Sequence, residues 1–285
     1  MSSELNKIQL PSPGKLNLFL HITDRRADGY HQLQTLFQFI ELADELTFSL
    51  RTDAKIQLTS DLPFKAEDNL VYKAAATLQQ AAQISQGIDI LLDKKLPIGG
   101  GVGGGSSNAA TTLLALNKLW QLNWSLSQLA ELGITLGADV PIFIHGFAAW
   151  AEGIGEKLTP VTPKELWYLL LAPDCHVSTA KIFNHPNLPR STAPVTFEDF
   201  LANRCHNDCE FLVRNLYPGV DKCFQFLNNL GPVRMTGTGA CLFVPFDCHS
   251  DAAKAFAQLP NGMQGFITKG SNQSMLHRCL QSLSK

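Results

Sequence analysis

Residues 97–110 have the composition of an anion-binding loop. They read Pro-Ile-Gly-Gly-Gly-Val-Gly-Gly-Gly-Ser-Ser-Asn-Ala-Ala. Ordering so many glycines costs chain entropy, and glycines contribute no side-chain packing in return. A run of this kind is best explained if its backbone N–H groups must come close to a ligand. Apolar residues at helical spacing follow, and Ser106, Ser107 and Asn108 stand where a helix N-cap is expected. Free N–H donors and the positive end of the helix dipole would meet there, which predicts a phosphate site.

Three other interpretations of this loop compete with that prediction. The Walker A motif is absent, because no lysine follows the glycines. Gly99, Gly101 and Gly104 match the spacing of a dinucleotide-binding loop. The acid expected about 20 residues later is missing, however, and the nearest is Glu131. A flexible Gly/Ser linker is the third alternative, and such linkers rarely run directly into an amphipathic helix.

Other polar side chains stand at the ends or on the faces of predicted elements. Apolar residues alternate through residues 15–22, which predicts a half-buried strand. Lys15 and Asn17 would share its other face, about 7 Å apart. That face is either part of a site or an ordinary solvated surface. Tyr30 and His31 follow a predicted Asp28-Gly29 turn, where they either hold a flat ring or have a structural role.

A carboxylate and two lysines are the remaining candidates. Asp139 stands between Gly137, which ends a predicted helix, and an apolar run. Its carboxylate either caps a following turn or stands at the rim of a site. Lys94 and Lys95 precede the glycine loop, as a solvated strand end or as positive charge near the phosphates.

Composition limits the class of protein. The 285 residues are 45% hydrophobic and carry a net charge of −2 with both signs mixed, which allows two domains and indicates neither a nucleic-acid nor a membrane surface. The first residues lack the apolar segment of a signal peptide. Seven irregularly spaced cysteines predict reduced thiols in the cytoplasm. A zinc site at Cys205, His206 and Cys209 is disfavoured, because no second pair of ligands accompanies them.

Hydrophobic periodicity predicts an antiparallel sheet before the glycine loop and two helices after it. The strands are expected at residues 34–42, 45–50, 55–59 and 88–92, with a helix over 68–83 between the last two. A second helix after the loop, with a capping box at Ser125 and Gln128, runs to about residue 136.

A stretch with Gly and Pro at residues 153–165 predicts a domain boundary. Beyond it the pattern indicates a compact α+β domain with an antiparallel sheet. Its strands are expected at 167–172, on both sides of a turn at Gly237 and Gly239, and at 265–269. Its helices are expected as two within 197–230, then at 251–258 and 274–282.

The chain resembles the GHMP kinase superfamily, whose members bind ATP without a Walker A lysine. The glycine loop carries the resemblance together with three further segments. They are Pro13-Gly-Lys-Leu-Asn-Leu-Phe-Leu with Arg26-Ala-Asp-Gly-Tyr-His downstream, Gly137-Ala-Asp-Val-Pro-Ile-Phe, and Met235-Thr-Gly-Thr-Gly-Ala-Cys. Gly14 stands where an Ala is more usual, and Thr238 where a Ser is common.

The resemblance implies an α+β fold of two domains. Residues 1–158 would form a ribosomal-protein-S5-like domain and residues 159–285 a ferredoxin-like domain, with the active site in the cleft between them. The implied substrates are ATP, accompanied by Mg²⁺ without dedicated protein ligands, and a cytidine diphosphate-linked polyol in the non-mevalonate route to isoprenoids. The C2 hydroxyl of that polyol would be phosphorylated. No nucleic acid or membrane is implied, and the chain would be a monomer or a weak homodimer.

The resemblance also implies roles for single residues. Asp139 would accept or orient the hydroxyl proton, and Lys15 would stabilise the alkoxide and the γ-phosphate. Tyr30 would stack on cytosine and His31 would bond its edge. The implied ATP-binding residues are Pro97, Gly99, Gly100, Gly101, Gly103, Gly104, Gly105, Ser106, Ser107, Asn108, Asn69, Leu70 and Lys94. The implied substrate-binding residues are Asn17, Tyr30, His31, Thr179, Phe183 and Gly239.

Three alternatives stay open at the level of sequence. The chain could be another small-alcohol or sugar kinase of the superfamily, which should lack the Tyr30-His31 pair. It could be a nucleotide-binding protein without activity, although both Lys15 and Asp139 are present. A dinucleotide-dependent oxidoreductase is disfavoured by the missing acid.

Overall fold

The computed structural model describes residues 6–27 and 29–283, so residues 1–5 and Asp28 of the predicted turn lie outside the described residues. The elements before residue 161 are β1 (Lys7–Arg25), β2 (His31–Leu50), β3 (Ile56–Ser60), α1 (Leu70–Ala81), β4 (Ile88–Asp93), α2 (Gly104–Leu119), α3 (Leu126–Ile134), α4 (Val140–His145), β5 (Ala149–Gly153) and β6 (Lys157–Pro160). Those after it are β7 (Trp167–Ala172), α5 (Thr179–Phe183), α6 (Phe197–Leu201), α7 (Glu210–Leu216), α8 (Pro218–Asn228), β8 (Arg234–Met235), β9 (Leu242–Phe246), α9 (His249–Phe256), β10 (Gln264–Ser271) and α10 (Met275–Ser282).

Strand β2 organises the first half of the chain. It pairs antiparallel with β1, β4 and β5, and its middle also pairs with β10. The two strands predicted at 34–42 and 45–50 are therefore one strand. Because β1 accompanies β2 from Arg25↔His31 to Lys7↔Ser49, the chain needs no turn at residues 43–44.

The prediction of a wholly antiparallel sheet is wrong for one pair. Strands β3 and β4 run parallel, with Ile56 opposite Ile88. Helix α1 crosses between them, and a helical crossover returns the chain in the same direction. That helix begins at Leu70 rather than at residue 68, because Asn69 is its N-cap and accepts a 2.9 Å hydrogen bond from the N–H of Val71.

Strand β1 is buried on both faces, so its predicted half-exposed character is wrong. Leu16 is fully buried, but Lys15 and Asn17 on the opposite face are also only 2% and 3% exposed. The glycine loop lies against this polar face, where the N–H of Lys15 donates to the carbonyl of Val102 at 2.9 Å. A solvated polar face is thereby excluded for these two residues.

The second half forms a ferredoxin-like arrangement, as predicted. Strands β10, β7, β9 and β8 lie side by side in that order, and each neighbouring pair is antiparallel. Along the chain, helices α5–α8 connect β7 to β8, strand β9 follows, and α9 connects β9 to β10. Residues 197–230 hold three helices rather than the two predicted. The third appears because α8 begins at Pro218 directly after Tyr217, which ends α7.

Two findings modify the expected division of the chain. Strand β6 runs through the expected boundary at 158/159, and we propose that the division falls within residues 161–166. Helix α10 returns to the first half, where Leu276 is buried in the same apolar core as residues of α2 and α4. Within the described residues, no helix combines the length and the apolarity needed to cross a bilayer.

Candidate active site

A cavity of about 640 Å³ lies where β1, the glycine loop, the start of α2 and the turn after β8 meet. Most residues singled out in the sequence line it, although they come from distant parts of the chain. These lining residues are Lys15, Asn17, Asn69, Leu70, Lys94, Pro97, Gly99, Gly100, Gly101, Gly103, Gly104, Gly105, Ser106, Asn108, Asp139, Thr179, Phe183 and Gly239.

Three of the residues for which the resemblance implied a binding role do not line the cavity. The hydroxyl of Ser107 points into the core, where it donates to the carbonyl of Pro13 at 2.7 Å. Tyr30 is 60% exposed, and His31 is buried beside Phe183, which does line the cavity. The ring of His31 stacks on that of Phe183, with 5.1 Å between centroids and 24° between planes.

The glycine loop caps its own helix. Gly103, with φ of 72°, is the N-cap of α2, and the N–H of Ser107 donates to its carbonyl at 2.8 Å. The prediction that Ser106, Ser107 or Asn108 caps the helix is therefore wrong, because all three lie within it. The first N–H groups of a helix have no partner inside it, and the residues that carry them here, Gly104, Gly105 and Ser106, line the cavity. This end of α2 therefore has the geometry expected of an anion site.

The loop also packs tightly against the turn after β8. Gly101 has φ of 77°, and a Cβ added there would lie 2.3 Å from the carbonyl oxygen of Thr236. The N–H of Cys241 donates to the carbonyl of Gly100 at 3.0 Å. A Cβ at Gly103 would meet the ring of Phe143 at 2.8 Å. Side chains are thus excluded by contact as well as by conformation.

Replacing Gly101 with Ala is expected to lower kcat/KM for ATP at least about tenfold, because the loop must move away from the turn. Gly262→Ala is the matched control, since Gly262 has φ of 89° and no atom within 4 Å of an added Cβ. Steady-state kinetics and urea unfolding of both variants make the measurement. Equal kinetics in the two variants would contradict the role assigned to the loop.

Lys15 and Asp139 form the central pair of the cavity. Nζ of Lys15 lies 3.3 Å from Oδ2 of Asp139, and the two side chains are 3% and 36% exposed. Nζ also donates to the side-chain oxygen of Asn17 and, at 3.1 Å, to the carbonyl of Gly101. Asp139 occupies the N-cap position of α4 but makes no capping hydrogen bond. Its carboxylate is therefore directed to the lysine and the cavity rather than to the helix.

Asn17 is fixed by residues that sequence reasoning did not single out. Its Nδ2 donates to Oγ1 of Thr35 at 2.9 Å, and its backbone N–H donates to Oγ1 of Thr236, also at 2.9 Å. Asn207 supports the neighbouring turn by donating to the carbonyls of Met235 and Gly237, each at 2.8 Å. These contacts join distant segments, so spacing within one segment carries no signal for them.

Asp44 is a buried carboxylate that the sequence left between two predicted strands. It accepts hydrogen bonds from the N–H groups of Lys95 and Leu96 at 2.8 Å, from Asn108 at 2.9 Å and from Nζ of Lys94. Nζ of Lys94 would lie 3.2 Å from a Cβ added at Gly104, so the ammonium is close to the start of α2. Lys94 is thereby held at the predicted phosphate site.

Asp44→Asn is expected to raise the KM for ATP about tenfold with little change in kcat, because Lys94 and Asn108 lose their shared charged partner. The free energy of unfolding should also fall by about 1–3 kcal/mol. Asp89→Asn, on β4 and half exposed where it pairs with Arg51, is the control. An unchanged KM for ATP would show that Asp44 serves stability alone.

The pKa of His31 is lowered, first by burial and then by the nearby guanidinium groups of Arg190 and Arg25. His31 is therefore neutral at pH 7. Arg190 donates from Nε to Nε2 of His31 at 3.2 Å. A neutral imidazole therefore lies beside the cavity, with its Nε2 already hydrogen-bonded to Arg190.

The residues present fit a magnesium ion that arrives with a nucleotide. The described residues contain no cluster of three or more His, Cys, Asp or Glu side chains that could hold a metal by themselves. Asp139 and Ser106 line the cavity near the loop and have side-chain oxygens that could bind a metal ion. Mg²⁺ keeps water and phosphate ligands and needs only one or two from the protein.

Comparison with known proteins agrees with this geometry. The GHMP kinases N terminal domain matches residues 69–147, and the GHMP kinases C terminal domain matches residues 187–265. A protein of Shewanella loihica is 54% identical over 268 residues, which cover 93% of this chain and 94% of that protein. The chain belongs to the GHMP kinase family. The glycine loop and Asp139 of this GHMP kinase lie within the N-terminal match.

Other relatives of this GHMP kinase carry the same name as the Shewanella protein, 4-diphosphocytidyl-2-C-methyl-D-erythritol kinase. One from Pseudomonas syringae pv. syringae is 53% identical over 278 residues, covering 97% of this chain and 99% of that one. A crystal structure of 4-(cytidine 5'-diphospho)-2C-methyl-D-erythritol kinase superposes with a TM-score of 0.81 at 31% identity, over 93% of this chain and 99% of that chain.

Proposed function

We propose that the protein transfers the γ-phosphoryl group of ATP to the C2 hydroxyl of 4-diphosphocytidyl-2-C-methyl-D-erythritol. This is the kinase step that its relatives' names indicate, in the non-mevalonate route to isopentenyl diphosphate. The observation that carries the proposal is the Lys15–Asp139 pair, 3.3 Å apart, in one cavity with the glycine loop. Phosphoryl transfer requires alignment and charge neutralisation, and these residues supply both.

In the proposed reaction, the acceptor oxygen forms a bond to the γ-phosphorus as the bond to the β–γ bridging oxygen breaks and ADP leaves. The hydroxyl proton passes to Asp139 or is oriented by it toward solvent. Lys15 neutralises charge on the acceptor oxygen and on the transferred phosphoryl group. Asn17 holds the ammonium of Lys15 in place from the same strand face.

The nucleotide is proposed to bind along the glycine loop. The N–H groups at the start of α2 would hold the phosphates, with Lys94 and the hydroxyl of Ser106 beside them. Asn69 and Leu70 at the start of α1 would contact the adenine. Mg²⁺ bound with ATP would reduce the charge on the phosphates, with Asp139 and Ser106 as the protein oxygens near it.

The cytidyl group is proposed to bind next to His31 and Phe183. Tyr30 is exposed and Phe183 lines the cavity, so their rings would stack on the pyrimidine, while His31, which lies against Phe183, would bond the edge of the base. Thr179 and Gly239, which line the cavity, would contact the polyol and the diphosphate. A nucleobase site beside His31 would distinguish this kinase from other small-alcohol kinases of the family.

A panel of acceptors tests the proposal. ADP release is measured with 4-diphosphocytidyl-2-C-methyl-D-erythritol, mevalonate, homoserine and galactose at equal concentration. Turnover is expected with the cytidyl substrate alone. Turnover of another acceptor in its place would reassign the substrate, and turnover of none would favour a nucleotide-binding role without catalysis.

We also propose a cytoplasmic location and a monomer or weak homodimer. All seven cysteines are free thiols, in keeping with a reducing compartment where ATP is available. Fractionation of cells and sedimentation of the purified protein test the two statements separately.

A further inference from the structure

Arg190 is the centre of a dense set of hydrogen bonds beside the cavity. Its Nη2 donates to the carbonyls of His185 at 2.7 Å and Phe183 at 3.1 Å, and its Nη1 donates to that of Leu188 at 3.1 Å. Its Nε donates to Nε2 of His31 at 3.2 Å. The guanidinium therefore cannot rotate without breaking several charge-assisted bonds, so its Nε–H has a fixed direction.

This contact determines the tautomer of His31. Arginine has only donors and does not lose its proton in proteins, so Nε2 of His31 must be the acceptor. A neutral imidazole whose Nε2 accepts carries its proton on Nδ1. Burial and the neighbouring guanidinium groups lower the pKa of His31, which keeps the ring neutral near pH 7. His31 then has one donor available, Nδ1–H, and no free acceptor nitrogen.

A ring with only a donor available distinguishes the two pyrimidines. Cytosine has an unprotonated N3, which accepts a hydrogen bond, whereas uracil carries a proton at N3. The Nδ1–H of His31 can donate to N3 of cytosine. With uracil, the same N–H would face the N3–H group, so two donors would oppose each other. An opposed pair of donors loses the hydrogen bond and the solvation of both groups, which costs about 10- to 100-fold in specificity.

We propose that Arg190 is a specificity-determining positioning residue, which selects a cytidine over a uridine substrate by fixing His31 as the Nδ1–H tautomer. The inference rests on the proposed function, because it assumes that His31 meets the base. It goes beyond that function because it assigns the choice of base to Arg190, a residue that does not itself line the cavity. Arg190 also binds the carbonyl of Phe183, whose ring stacks on His31, so it places both rings of the base site.

The first experiment reads the tautomer directly, without turnover. The ¹⁵N shifts of the His31 imidazole are recorded at pH 8 in the ligand-free protein, and His31→Gln assigns the signals. The Nδ1–H pattern is expected in wild type, and a mixture with the Nε2–H form is expected in Arg190→Gln, because glutamine can accept as well as donate. An Nε2–H pattern in wild type would overturn the proposal.

The second experiment compares kcat/KM for the cytidine-linked polyol and for its uridine-linked analogue. Wild type is expected to prefer cytidine at least about 100-fold, and Arg190→Gln should reduce this preference about tenfold or more. The control is Arg204→Gln, which removes the same charge from an exposed residue paired with Asp199, and its preference should equal that of wild type. Loss of both activities by one factor in Arg190→Gln would mean that Arg190 only supports the loop.

The two experiments separate this inference from the proposed function. If wild type shows the Nδ1–H pattern but does not phosphorylate the cytidyl substrate, the proposed function fails, and the assignment of the base fails with it. If wild type phosphorylates that substrate but its preference is the same in Arg190→Gln, the proposed function stands and the role of Arg190 is refuted.

Discussion

Replacing Asp139 with Asn is expected to lower kcat about 10³-fold, while the KM for ATP changes less than about threefold. The amide fills the same volume but accepts no proton and leaves Lys15, 3.3 Å away, without its counter-charge. Because the Asp139 side chain makes no capping bond to α4, the substitution should leave the helix start intact. The measurement is ADP release at saturating ATP and cytidyl substrate.

Asp68→Asn is the matched control for this experiment, because Asp68 is the other carboxylate that lines the cavity. Its kcat should stay within about threefold of wild type. A pH profile then separates the two roles of Asp139. If it is a general base, the acidic limb of kcat disappears in Asp139→Asn, and if it acts only by its charge, the limb persists at a lower rate. A kcat within tenfold of wild type would refute both roles.

Lys15→Met is the second substitution with a large expected effect, a loss of about 10²–10³ in kcat. The ammonium is buried between Asp139 and the carbonyl of Gly101, where we propose that charge develops during transfer. Methionine retains most of the side-chain volume beside the ring of Phe37, over which Nζ lies at 5.2 Å. The same assay measures the loss, and urea unfolding checks that the variant is folded.

The control for Lys15 is Lys95→Met, in which an exposed lysine paired with Asp93 is replaced. It should behave as wild type. The double variant of Lys15 and Asp139 should be no more than about tenfold slower than the worse single variant, because residues that act as a unit do not contribute additively. Multiplicative losses would instead indicate two independent functions.

Local patterns in the sequence predicted the features that depend on neighbouring residues. The capping box of Ser125 and Gln128 is present, and the strand at 167–172 was predicted with its observed bounds. The ferredoxin-like order of the second half was implied by resemblance to a family rather than by periodicity. Local patterns failed at the start of α2, where a glycine in the left-handed region replaces a side-chain cap.

Contacts between distant segments were beyond sequence reasoning. Asp44 stood where a turn was expected, yet it is 1% exposed and binds both Leu96, just before the glycine loop, and Asn108 of α2. Arg190 lies in a loop without periodicity, and its partner His31 is 159 residues away. A buried charge needs several partners to offset its desolvation, and those partners become visible only when the chain is folded.

By itself, the sequence determined the chemistry that is available. It contains a glycine run opening a helix, a lysine and an asparagine on one strand face, and an aspartate after a helix-ending glycine. Only the tertiary structure decided that Lys15 and Asp139 meet at that loop, that Ser107 faces the core, that Asp44 binds Lys94 and that Arg190 binds His31. The physical reason is that backbone propensity acts over a few residues, whereas the position of a charge is set by packing and by partners from the whole chain.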